Sequence, residues 1–246
     1  MSHDHALTAF QRSLELGRVY TKRPPQALTG IEPGRPVRIL AWNIGRGFAP
    51  ERIADTIRDL RPDIACLQEV DWGNQRTTSR DVLQVLAERT GMQGLYGIEF
   101  LELQGPRRPR RLAGGGATGN ALLCRIDPQA CFRIELPSML DWEHGAEDGT
   151  LPPRVRAQIR RERRIGRRFA LAAEFEVGGA EFVVASVHFE DKFGGPRGRF
   201  RHFRSVVEAI DARRGNSDAT VVVAGDFNTF DSAVARLVTP DTDATA

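Results

Sequence analysis

Short apolar runs along the chain are followed directly by polar residues. Three of these runs are Val37–Trp42, Ile64–Leu67 and Val221–Ala224. Apolar runs of this length, rich in β-branched residues, predict buried strands. The first run is followed by Asn43, the second by Gln68 and Glu69, and the third by Asp226 and Asn228. Because parallel strands of an α/β sheet end at one side, which we call the rim, we expect these polar groups to meet there.

A fourth polar group follows from a hairpin pattern. Phe169–Val177 and Glu181–Phe189 alternate apolar and polar residues and are joined by Gly178-Gly179. This pattern predicts an antiparallel hairpin. Its second strand ends in His188, which we also place at the rim. A histidine at a strand end is often only half-buried and hydrogen-bonded to backbone, so position alone does not assign a role.

Helical spacing of apolar residues predicts three helices between the strands. They are Glu51–Leu60, Arg80–Arg89 with Ser79 as its cap, and Arg199–Arg214. Within residues 1–36, the sequence predicts a helix from about Leu7 to Tyr20 and then a connector that contains Pro and Gly. We expect this segment to be an extension outside the core and residues 37–246 to form one domain.

Composition is that of a soluble globular protein, with 41% hydrophobic and 27% charged residues among 246. The net charge is only +3, but the cations are almost all arginine, with two lysines in the whole chain. Arginines cluster in residues 104–118 and 137–168. Such clusters are usually solvated surfaces, and the alternative is a surface that binds phosphate. The sequence contains no apolar stretch long enough to span a membrane, and its three cysteines form no CxxC pair, so we expect a cytoplasmic protein.

The groups expected at the rim suit one kind of chemistry. A carboxylate, amide oxygens and water are the ligands that Mg²⁺ or Mn²⁺ prefers. We therefore predict hydrolysis of a phosphoester. Such an ion would act with Asp226 beside an attacking water, and His188 and Asn228 would donate hydrogen bonds. The alternative for the last stretch is structural, with Asp226 capping a helix over residues 232–238 and Asn228 forming a turn.

Six motifs resemble those of the endonuclease/exonuclease/phosphatase superfamily. They are AWNIGRG (41–47), CLQEVD (66–71), TGNALLCR (118–125), RRFALAAEFEV (167–177), SVHFE (186–190) and GDFNT (225–229). The resemblance implies an α/β fold, a four-layer αββα sandwich of two mixed sheets flanked by helices. It implies that Asn43 and Glu69 bind the metal and that His188, Asp226 and Asn228 act in catalysis. It implies, more weakly, that Arg80, Asn120 and Arg168 contact the substrate. The substrate itself stays open between nucleic acid, a phospholipid head group and a small phosphoester.

One feature departs from the family's pattern. Members of the superfamily end with a strand that carries an Asp-His pair, whereas 18 residues without histidine follow Asn228 in this sequence. We therefore expect a sandwich that lacks its last strands and exposes an apolar sheet edge. A catalytically impaired protein that binds anionic ligands remains the alternative to an active hydrolase.

Overall fold

The computed structural model describes residues 7–26, 30–31, 34–105, 108–190 and 195–229. The strands in chain order are β1 (Val19–Lys22), β2 (Ile39–Arg46), β3 (Ile64–Trp72), β4 (Gln93–Glu102), β5 (Ala117–Cys124), β6 (Ala130–Glu135), β7 (Arg164–Gly166), β8 (Phe169–Val177), β9 (Ala180–His188) and β10 (Thr220–Asp226). The helices are α1 (Ala9–Arg12), α2 (Pro50–Leu60), α3 (Val82–Thr90), α4 (Pro153–Arg161) and α5 (Gly195–Arg214).

Two mixed sheets form the centre of the described part of the chain. The first has the order β1-β4-β5-β3-β2, with β7 paired to β4, and its β2 and β3 are parallel. The second has the order β10-β9-β8-β6, with β10 parallel to β9. The hairpin predicted from the sequence is confirmed as the antiparallel pair of β8 and β9.

Alternation of side chains along the strands builds four layers. In β3, Ile64 and Cys66 face the second sheet, whereas Ala65 and Leu67 face α2 and α3. The same period of two places one face of β8 and β9 against the first sheet and the other against α5. The predicted sandwich of two mixed sheets flanked by helices is therefore confirmed.

The N-terminal segment belongs to the first sheet, contrary to the predicted helix and separate extension. α1 is a single turn, and β1 pairs antiparallel with the edge of β4. The Gln11 side chain is buried and donates to the carbonyl groups of Glu102 and Gly116. Apolar residues such as Leu14 and Tyr20 pack on the α2–α3 side of the sheet. The N-terminal segment thus covers part of this sheet, although the sequence led us to expect it outside the core.

Two further local predictions need correction. Asp81, not Ser79, caps α3, and its carboxylate accepts from the backbone N–H of Gln84. The run Val221–Ala224 is only partly buried, because β10 is the edge strand of the second sheet within the described residues. The expected helix over residues 232–238 and the last 17 residues of the chain lie outside the described part.

Candidate active site

Irregularities in β2 and β3 shape the rim of the first sheet. The pairing of β2 with β3 shifts register after Asn43, and the pairing of β3 with β5 shifts between Leu67 and Val70. Glu69 lies inside the second shift and has a φ of 55°, a left-handed conformation that is uncommon for glutamate. Bulges of this kind redirect side chains near strand ends. Because of this bulge, Glu69 does not follow the alternation of side chains along β3 at the rim.

Asn43 joins two carboxylates that come from different sheets. Its Nδ2 lies 3.2 Å from Glu69 Oε1 and 2.9 Å from Asp226 Oδ2. Its Oδ1 accepts from the backbone N–H of Gly45 at 3.0 Å. The two acids are partly exposed, at 23% for the Glu69 side chain and 21% for Asp226. The structure therefore brings together the polar ends of β2, β3 and β10.

Gly225 allows β10 to approach β9 closely enough for this meeting. Its φ is 144°, and a Cβ at this position would lie 2.1 Å from the carbonyl oxygen of Val187. The next pair along the register is Asp226 with His188. A side chain at Gly225 would therefore force the two strands apart just before the candidate site.

His188 lies between the carboxylate pair and a buried ion pair. Its Nε2 is 3.9 Å from both Glu69 Oε1 and Asp226 Oδ2. Its Nδ1 lies 2.6 Å from Arg168 Nη1 and 3.3 Å from Glu99 Oε2. Arg168 in turn lies 3.0 Å from Glu99. Contacts of Nδ1 with Arg168 and Glu99 thus fix the imidazole, while its Nε2 faces the two acids.

Asn120 and Asn228 support this arrangement from two sides. Asn120 is fully buried, and its Nδ2 donates to Glu99 and, at 3.0 Å, to the carbonyl oxygen of Phe169. The backbone N–H of Asn228 donates to Asp226 Oδ1 at 2.9 Å. The Asn228 side chain donates to the carbonyl oxygen of Phe189, also at 2.9 Å. Asn120 thus contacts Glu99 through its side chain, and Asn228 orients Asp226 through its backbone N–H.

The electrostatics favour an ionised Glu69. Burial raises the pKa of its carboxyl group, but the charges of Arg46 and His188 and the hydrogen bond from Asn43 outweigh burial and lower the pKa to about 2. Arg46 Nε is 3.3 Å from Glu69 Oε2, and the same guanidinium reaches Glu102 and Glu162 at 3.9 Å. Glu69 is therefore an anion at neutral pH.

The sequence-predicted residues do not all gather at this point. Asn43, Glu69, His188, Asp226 and Asn228 do, and Asn120 and Arg168 lie directly behind them. Arg80 forms an ion pair with Glu51 at the start of α2, and within the described residues it makes no hydrogen bond or ion pair with the others.

Sequence reasoning missed Glu99 and Arg46. Glu99 is an acid inside the apolar run of β4, and its side chain is only 1% exposed. Because buried acids are costly unless they are paired, an acid in such a run is a signal for a buried partner. Arg46 lies in a glycine-flanked loop of the sequence, where nothing in the pattern distinguishes a solvated arginine from one that pairs with acids.

The donor set fits a hard divalent cation that keeps several water ligands. Mg²⁺ is usually held by one or two carboxylates rather than by a full cage of protein ligands. Glu69 and Asp226 supply two carboxylates, they face solvent in part, and an amide lies between them. Among the described residues, no group of three or more His, Cys, Asp or Glu side chains is arranged to hold a metal ion. The site therefore lacks a closed cage but matches the open pattern.

Comparison with known proteins identifies the class to which this fold and site belong. Residues 40–240 match the Endonuclease/Exonuclease/phosphatase family. The chain belongs to that family, whose members hydrolyse phosphoester bonds. A search of curated proteins finds no match. In the described part of the chain, no helix has the length and apolar character needed to cross a membrane.

Solved structures share the fold at low sequence identity. The human Nocturnin catalytic domain is 24% identical, with a TM-score of 0.53, and the match covers 84% of this chain and 69% of that one. An endonuclease/exonuclease/phosphatase protein from Beutenbergia cavernae DSM 12333 is 24% identical, with a TM-score of 0.53 and coverage of 78% and 47%. Humanized D. rerio TDP2 is 17% identical, with a TM-score of 0.51 and coverage of 83% and 68%. The chain thus spans between about half and two thirds of the length of these structures.

Proposed function

We propose that this chain is a metal-dependent hydrolase of phosphoester bonds that uses Mg²⁺ or Mn²⁺. The observation that carries the proposal is the amide of Asn43, which contacts Glu69 and Asp226 together while His188 Nε2 lies 3.9 Å from both acids. Two carboxylates, an amide and an imidazole at one solvent-facing point form a set suited to phosphoryl transfer to water.

Glu69 and Asn43 are the residues that would hold the ion. Glu69 is anionic and partly exposed, and the Asn43 amide offers an oxygen if its side chain turns over. When bound, the ion polarises a phosphoryl oxygen and offsets the negative charge that grows there.

His188 is set up to donate a hydrogen bond to the substrate. The Arg168 guanidinium is a permanent donor, and at 2.6 Å it donates to His188 Nδ1. When the ring is neutral, this contact leaves its proton on Nε2, which is the nitrogen that faces the rim. A phosphoryl oxygen placed beside Nε2 would accept this proton in a hydrogen bond.

Asp226 is the candidate base for the attacking water. Its Oδ1 is fixed by the backbone N–H of Asn228, and its Oδ2 is fixed by Asn43. A carboxylate held at both oxygens orients a water molecule with little rotational freedom. Asn228 contributes through this backbone contact, and its remaining side-chain N–H is available for a phosphate oxygen.

The substrate is proposed only as a class, with nucleic acid, phospholipid head groups and small phosphoesters all compatible with the open rim. The arginine cluster of α4 lies near the site, because Glu162 at the end of α4 is 3.9 Å from Arg46. This neighbourhood favours a substrate with several negative charges. We also propose a reducing, cytoplasmic location, supported by three free cysteines, of which Cys66 and Cys124 are buried.

Hydrolysis of bis(4-nitrophenyl) phosphate tests the proposal. We expect turnover with Mg²⁺ or Mn²⁺, its loss on addition of EDTA, and a fall of about 10²–10⁴-fold in kcat for His188→Gln and Asp226→Asn. The exposed Glu176→Gln serves as the control and should keep the wild-type rate. Turnover that survives EDTA and both site substitutions would refute the assignment. A folded protein without any turnover would favour the impaired, ligand-binding alternative.

A further inference from the structure

A groove rich in arginine lies at the opposite end of the first sheet from the candidate active site. It has a volume of about 1300 Å³ and is lined by the residues that precede β2 and β3, that follow β5, and that end α2 and α3. Arg38 precedes β2 by one residue, and Asn43 lies five residues further along that strand. At about 3.3 Å per residue, the two ends are roughly 16 Å apart along the strand.

The charge of the groove is strongly unbalanced. Six arginines line it, namely Arg35, Arg38, Arg58, Arg61, Arg89 and Arg125. Two acids, Asp59 and Glu88, share the lining with them. Arg58 and Arg89 both lie 3.3 Å from the exposed carboxylate of Asp55 and are partly neutralised by it.

A buried acid, Asp63, organises the groove wall. Its carboxylate is fully occupied by the guanidinium of Arg35 and, at 2.8 Å, by the backbone N–H of Arg38. Its backbone also links the neighbouring chains, because Asp63 N donates to Arg38 O and Arg125 N donates to Asp63 O, both at 2.8 Å. Asp63 therefore fixes the backbone on either side of it and places Arg38 and Arg125 next to each other.

Three guanidinium groups remain available in this wall. The side chains of Arg38, Arg61 and Arg125 make no hydrogen bond or ion pair with any residue that the structure describes. Arg61 ends α2 in a left-handed conformation, with a φ of 49°. Guanidinium groups are weakly hydrated and bind phosphate through a planar pair of donors. Several such groups that share one open groove form a site for a ligand with several phosphates.

We propose that this groove binds a chain of closely spaced phosphate groups, as found in a nucleic acid backbone or in inorganic polyphosphate. Its described lining contains no Phe, Tyr or Trp. Recognition therefore rests on the phosphates rather than on bases, which need aromatic platforms for stacking. An acidic peptide fits less well, because protein interfaces depend on aromatic or apolar anchors in pockets.

Binding of fluorescein-labelled dT20 to the full chain, followed by anisotropy across a KCl series, tests the proposal. EDTA is present throughout, so that the outcome does not depend on metal-dependent hydrolysis at the other end of the sheet. The groove variant combines Arg38→Gln, Arg61→Asn and Arg125→Gln, with asparagine chosen because it tolerates the left-handed backbone. The control removes the same charge from exposed arginines of α5 through Arg201→Gln, Arg204→Gln and Arg213→Gln.

We expect the groove variant to bind dT20 about 10-fold or more weakly at 0.1 M KCl, and its slope of log affinity against log salt to fall by about 2. The control should change by less than about twofold, and inorganic polyphosphate should displace dT20 from the wild type. If the groove variant does not fold, the single substitutions Arg38→Gln and Arg125→Gln should each lower the slope by about 0.7.

Several results would overturn the proposal. They are an equal loss in the groove and control variants, no binding by the wild type, and displacement by poly-glutamate but not by polyphosphate. The first would assign binding to general positive charge, and the last would assign the groove to acidic peptides.

Discussion

Asn43 Nδ2 lies 2.9 Å from Asp226 Oδ2, although 183 positions separate the two residues in the chain. The contact joins the rim of the first sheet to the last described strand of the second. It exists because a bulge interrupts β2 after Asn43 and because β10 runs parallel to β9 with Asp226 opposite His188. The candidate site is therefore a junction of the two sheets, and its integrity depends on how they pack.

Substitution of Gly225 should disrupt this junction. Gly225→Ala would place a Cβ 2.1 Å from the Val187 carbonyl oxygen and would require an unfavourable φ of 144°. We expect a loss of about 2–4 kcal/mol in the free energy of unfolding, measured in urea, from overpacking and backbone strain. Gly17→Ala is the control, since its Cβ would meet no atom within 4 Å. Equal stability of the two variants would contradict the described approach of β10 to β9.

Removal of Glu99 should be costly, because it leaves a buried cation with too little compensation. Glu99 and Arg168 are 3.0 Å apart, with side chains 1% and 8% exposed. Glu99→Ala should lower the free energy of unfolding by about 3–5 kcal/mol. The matched control is Glu174→Ala, which breaks a more exposed pair with Arg213 and should cost about 0–1 kcal/mol. Similar losses in the two variants would show that the pair behind His188 is not buried as described.

Acid should destabilise the protein partly through Glu102. Burial raises the pKa of this carboxyl group, but Arg76, Arg108 and Arg46 outweigh burial and hold the pKa well below its ordinary value of 4.5. A lowered folded-state pKa contributes stability that is fully present above pH 4.5 and is lost as the pH falls further.

The variant Glu102→Gln should therefore be less stable than the wild type at pH 7. Its free energy of unfolding should also fall less steeply below pH 4.5, by up to about 1.4 kcal/mol per pH unit. Urea unfolding at several pH values between 3 and 7 measures both effects, with Glu176→Gln as the control. Parallel pH profiles for wild type and Glu102→Gln would contradict the described ion pairs of Glu102.

The sequence was informative about the sandwich because periodicity reports burial. Local patterns determine strands with a period of two, such as β8 and β9. They also determine helices with an apolar face, such as α2, and long-range contacts do not override them. The N-terminal segment was predicted wrongly for the opposite reason. Residues Val19–Lys22 are a strand only because β4 offers them a partner, and nothing local encodes that partner.

The candidate site was predictable where polar residues directly follow apolar strands, as for Asn43 and Asp226. Glu99 was not, because it lies inside a strand and its role depends on Arg168, 69 positions away. The capping of α3 by Asp81 rather than Ser79 shows the same limit at short range. Both residue types cap helices, and the backbone geometry at the helix start decides between them.

The proposed phosphoesterase activity requires Asn43 and Glu69 to hold a divalent cation beside Asp226. Isothermal titration of Mn²⁺ into the wild type and into Glu69→Gln, both checked for folding by circular dichroism, tests this requirement. We expect saturable binding by the wild type and affinity at least about 10-fold weaker in Glu69→Gln, because the substitution removes an anionic oxygen ligand. Equal affinity in the two proteins, or no binding by the folded wild type, would contradict it.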